Sequence, residues 1–147
     1  MKLLSKLLAL PKGDRVAFVE AILCLVLARL AIFVPFRRVA PWLGETQPGV
    51  EQSRPALVAA EREGALRVRR ALLRAARRLP WHSSCLACAL AGRMMLGRRH
   101  LPSLLQLGAR NSSPTDLAAH AWLWCGEVDV VGVDASGLYT PIVAFKA

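Results

Sequence analysis

"PWHSSCLACALAGRMML", Pro80 to Leu96, divides the chain into two halves of different character. Pro80 ends a helical pattern, Ser83 or Ser84 can cap a new helix, and Gly97 can close it. The helix opens on Cys85. A cysteine is often a small buried hydrophobe. In the first turn of a helix, however, free N–H groups favour thiolate over thiol.

Upstream the pattern is helical. "RVAFVEAILCLVLARLAIFVPF" is the most apolar run, with Asp14 as a plausible N-cap and Pro35 as its stop. Glu20 and Arg29 interrupt it, and no uncharged stretch approaches the roughly 18 residues of a spanning helix. A buried or partner-facing helix is expected first, a membrane-surface helix second. Pro41 to Arg54 reads as a connector rich in Gly, Pro and polar residues. Pro55 to Leu79 reads as a helix with leucines against many arginines.

Downstream the pattern changes to strands. "LPSLLQLGARN" ends in the turn cluster "NSSPTD", and "AAHAWLWC" follows. Gly126-Glu127 then joins it to "VDVVGVD" as a hairpin, and "LYTPIVAF" is a last strand. Helices first and strands last imply an α+β fold, N-terminal helices packed on a small antiparallel sheet. Residues 1–54 are expected as a helical segment and connector packing with a core at 55–147, together one compact domain.

The totals narrow the class. A chain of 147 residues can bury a core without staples, and its 54% hydrophobic content calls for a membrane segment, a mainly buried helical domain or an obligate partner surface. The net charge is +10, yet the arginines scatter from Arg29 to Arg110. Scattered arginines read as solvated helix faces, so no nucleic-acid partner is expected. Cys24, Cys85, Cys88 and Cys125 do not form a disulfide framework, and the N-terminus lacks a long h-region and a cleavage site, so a cytoplasmic location is expected.

A nucleophilic thiol needs a base and a group to orient it. His120, at the start of an apolar strand, is the base candidate. If the hairpin turn centres on Glu127, His120 faces Asp134; a two-residue turn instead puts Val133 opposite and turns Asp134 away. Asp134 is preferred over Asp129, which would face Cys125. A zinc site from Cys85, Cys88, His120 and Cys125 is the rival, but His120 and Cys125 fall on opposite strand faces, so no metal and no cofactor are expected. Trp81 and His82 could line a substrate cleft, and Gln106 could donate to an oxyanion or simply face solvent.

"LPWHSSCLACALAGRMML", "LPSLLQLGARN", "AAHAW" and "YTPI" together resemble the lasso-peptide B2 proteins, stand-alone leader peptidases of the transglutaminase-like cysteine protease superfamily. "PKGDRVAFVEAILCLVLARL" and "PFRRVA" resemble that family's opening. The resemblance implies a transglutaminase- or papain-like core. It also implies a peptidase with Cys85 as nucleophile and His120 as base, removing the leader of a ribosomally made precursor. The freed core amine would pass to a separate macrolactam-forming cyclase. A separate B1-type leader-recognition protein is implied too, because fused relatives carry that domain at their N-terminus. Many relatives place an Asp twelve residues after the His, where this chain has Gly132. The competing classes are a basic adaptor binding membrane or nucleic acid, and an acyltransferase of the same fold.

Overall fold

The computed structural model describes residues 5, 7–48 and 53–147, without the side chains of 112 and 134–136. Most of the opening "MKLLSK" stretch and the middle of the connector lie outside the described residues.

The apolar run forms α1, Lys12–Ala31, which begins after Pro11 and is followed by Pro35. Asp14 is not its cap. It lies in the first turn, where the dipole favours an acid, and its carboxylate is 3.3 Å from Arg67. A short helix α2, Phe36–Val39, and a 3-10 turn, Ala40–Leu43, follow. The expected connector then contains a strand, β1, Glu45–Pro48. It pairs with the last strand at the sheet edge, where a strand tolerates a proline.

Helix α3, Ala59–Ala76, is shorter than the periodic pattern at both ends. Ala65, Val68, Ala71, Leu72 and Ala75 make its buried stripe, and Glu61 accepts a hydrogen bond from Val58 N at its start. Helix α4, Cys85–Gly97, matches the expected boundaries to within a residue. Its small residues let neighbours press close: a Cβ on Gly92 would lie 2.6 Å from Leu123 and 3.0 Å from Leu72.

Five antiparallel strands form one sheet in the order β1-β5-β2-β3-β4. They are β2, Leu104–Ser113, β3, Asp116–Cys125, β4, Val128–Val131, and β5, Thr140–Lys146. A 3-10 helix, Val133–Leu138, joins the last two. The α+β class with helices packed on a small antiparallel sheet is thus what the chain adopts.

One hydrophobic cluster joins α1, α3, α4 and one sheet face, with Leu105, Ala121, Leu123, Cys125 and Phe145 on the strands. Because strand residues alternate, His120, Trp122 and Trp124 lie on the other face of β3. Arg93 of α4 is also buried and donates to Phe145 O at 2.8 Å, tying β5 to the helix. Burial lowers its guanidinium to about 10. Among the described residues no helix is long and apolar enough to cross a membrane.

Helix α1 is unusual in being apolar on two sides. Ala17, Phe18, Ala21, Cys24, Leu25 and Ala28 are buried. Val16, Val19, Leu23, Leu27 and Leu30, on the opposite side at 100° per residue, remain exposed. Part of that stripe lines a groove of about 1060 Å³ shared with Met94 and edged by Lys12, Arg15 and Arg98. Glu20 in the groove is neutralised by Arg98 at 3.0 Å and Arg99 at 2.6 Å.

Candidate functional site

Cys85 is the first residue of α4 and half-buried. Ser84 is the N-cap, its Oγ accepting from Ala87 N at 3.2 Å. The cap uses one of the free first-turn amides, and the others lie around the thiol's backbone. Burial acts on the remaining cysteines. Burial, then the neighbouring Cys85, pushes Cys88 up to about 11. Burial, then Glu61 and Glu127, pushes Cys125 up to about 11, and burial raises Cys24.

His120 lies mid-strand, because β3 begins at Asp116 and not at the histidine. It pairs with Gly108 of β2. Its Nε2 is 2.8 Å from the carbonyl oxygen of Gly132. A carbonyl can only accept, so Nε2 carries the proton in this bond. The imidazole stacks on Tyr139 at 4.8 Å between centroids and on Trp122 at 5.8 Å. Arg110 lies over the Tyr139 ring at 5.1 Å.

The two registers weighed for the β3–β4 hairpin both occur. Cys125↔Val128 and Trp124↔Asp129 follow the two-residue turn at Gly126-Glu127, but Leu123 meets Val131. Val130 is the extra residue of a β-bulge, which shifts the register by one. Asp129 therefore faces Trp124 and not Cys125; its Oδ1 accepts from Trp124 Nε1 at 3.0 Å. The pairing then stops at Val131, since Gly132 turns away at φ +73°. Asp134, expected on a strand, is instead carried by the 3-10 helix, and its side chain lies outside the described residues.

Gln106 is not a solvent-facing strand residue. It is buried, and its Oε1 accepts from Trp122 Nε1 at 3.1 Å. His82 is exposed, while Trp81 is half-buried with Arg29 over its ring at 5.5 Å. Among the described residues no hydrogen bond joins Cys85 to His120, and no group of three or more His, Cys, Asp or Glu is arranged to hold a metal ion. The sheet and the residue before β5 thus gather Gln106, Trp122, His120 and Tyr139, and Cys85 opens the helix that packs against β3.

In the comparison with known proteins, the profile of the transglutaminase-like superfamily aligns with residues 30–144. The chain belongs to that superfamily. No curated protein and no solved structure matches.

The membership implied by the sequence resemblance is therefore established, and it supports a proteolytic or maturation role in general terms. In this transglutaminase-like chain the matched span takes in Cys85, His120 and the whole sheet except its final residues. Tyr139, Trp122 and Gly132 were not singled out as site residues from the sequence. The signals were present in "HAW", where alternation puts Trp122 beside His120, and in "YTPI". For Gly132 the signal was a glycine inside a β-branched run, which marks a bulge or a close approach.

Proposed function

We propose that this protein is a cysteine peptidase that removes the leader from a ribosomally made lasso-peptide precursor. The observation that carries the reading is Cys85 itself: a half-buried thiol opening a capped helix in a transglutaminase-like chain, while the other three thiols are driven up by burial. His120 is the base.

The chemistry follows in balanced steps. His120 takes the Cys85 proton, and the thiolate attacks the carbonyl carbon at the leader–core junction. The C–N bond breaks, the imidazolium returns its proton to the departing core amine, and the leader remains as a thioester. Water, deprotonated by His120, then hydrolyses the thioester and restores the thiol. The sulfur and the imidazole must meet in the substrate complex.

The proposal places the protein in the cytoplasm, with a B1-type recognition protein, the precursor and a macrolactam-forming cyclase as partners. The outer apolar stripe of α1 supports the partner assignment, because a helix apolar on both sides is normally covered on both. Trp81 and His82, just ahead of the nucleophile, are placed along the substrate path, and Gln106 shapes the site through Trp122.

Mass spectrometry of the precursor, incubated with this protein and the recognition partner, tests the reading. A single cut is expected with wild type and Cys88→Ala, and none with Cys85→Ala. A cut that persists in Cys85→Ala overturns it.

A further inference from the structure

We infer that the group orienting His120 is the backbone carbonyl of Gly132, in place of a side-chain acid. Its catalytic meaning rests on the peptidase reading; its geometry does not. The Nε2 of His120 lies 2.8 Å from that oxygen, a full-strength hydrogen bond. The ring plane is fixed independently, by stacking on Tyr139 at 23° between planes and on Trp122 at 26°. With the plane held and Nε2–H tied, Nδ1 is the nitrogen that exchanges a proton with a thiol.

The backbone is shaped to deliver this carbonyl. After the bulge at Val130 the pairing ends at Val131, and the chain leaves the sheet at Gly132. There φ is +73°, a left-handed conformation that side chains disfavour. A Cβ at that position would also lie 2.6 Å from Ala121 O and 3.1 Å from His120 Nε2. Glycine is thus required twice, once for the turn and once for the approach of the imidazole. Position 132 lies twelve residues beyond the histidine. A peptide carbonyl there supplies an acceptor with no charge and no titration. A carboxylate would also stabilise the imidazolium electrostatically, whereas the carbonyl chiefly fixes tautomer and direction.

The test is NMR of the full chain at pH 8, reading the His120 ring proton on Nε2. An imidazole N–H open to water exchanges too fast to be seen; one bonded to a carbonyl persists. A protected signal with a cross-relaxation peak to the Gly132 α-protons is expected in wild type and in Asp134→Ala, which removes the side-chain acceptor altogether. It is expected to vanish in Gly132→Ala while the amide spectrum stays dispersed. No protected signal in wild type, or its loss in Asp134→Ala, overturns the inference. If Gly132→Ala does not fold, the Asp134→Ala spectrum decides alone. On the precursor, Gly132→Ala should lower kcat at least tenfold with KM little changed; a change confined to KM would count against positioning. Wild type that never cleaves the precursor defeats the peptidase reading, and the spectra still decide what holds His120.

Discussion

The two faces of β3 obey different rules. Ala121, Leu123 and Cys125 point under the helices, where they are 1% exposed or less and make no side-chain hydrogen bond among those described. On the other face, His120, Trp122 and Trp124 each hold a polar partner: Gly132 O, Gln106 Oε1 and Asp129 Oδ1. One face is specified by volume, the other by direction. A single strand thereby anchors the core and aims an imidazole, and mutations on its two faces should fail in different ways.

The largest effect belongs to the packed face. Leu123→Ala leaves a cavity beneath Gly92 and Leu72 and should lower unfolding stability by about 3 kcal/mol in urea denaturation. A loss below about 1 kcal/mol would mean that the helix layer collapses onto the sheet, and the contrast between faces would weaken.

Alkali should attack the packed side next. In the folded chain Cys125 and Cys88 titrate near 11, against an ordinary thiol value near 9. The folded state therefore holds these protons more tightly, and the stability they contribute is complete below about pH 9. It is lost as pH rises through 11, by on the order of 2 kcal/mol per thiol. Denaturation midpoints at pH 8 and pH 10.5 measure the loss, and Cys125→Ser would sharpen the assignment. The same burial predicts that one equivalent of an alkylating reagent at pH 8 labels Cys85 ahead of the other three, read by peptide mapping.

The polar face should show smaller losses of stability. Trp122→Phe keeps most of the ring but removes the indole N–H from Gln106, for about 1–2 kcal/mol. It also removes part of the stack on His120, so the His120 ring signals should move more than stability suggests. Smallest of all, Val19→Ser on the exposed side of α1 should change stability by less than about 0.5 kcal/mol while weakening capture of the recognition protein. Equal capture by wild type and variant would remove that stripe from the interface.

The sequence was most readable where a pattern had room to repeat. Helix α4 could be placed because a serine cap, an alanine-rich run and a glycine stop all agree. Strand β1 could not, because four residues ending in proline carry no alternation, and its pairing partner lies about a hundred positions away. Asp134 could not be placed, because nothing in "VDVVGVD" shows that pairing stops at Val131 and the chain turns out of the sheet at Gly132. The same turn hides the role of Gly132. A glycine is visible in a sequence, but a backbone carbonyl acting as a partner has no letter of its own.

The pairing of β1 with β5 also bears on how the molecule is born. Glu45 sits opposite Lys146, so an edge of the sheet waits for a strand about a hundred residues further along the chain. Helix α1 itself emerges with apolar residues on both sides, and its buried face waits for α3 and α4 to follow. Contacts this distant in sequence slow folding, and an exposed apolar helix meanwhile invites association. Synthesis alongside a binding partner, or under a chaperone, should raise the yield of soluble protein more than any single stabilising substitution.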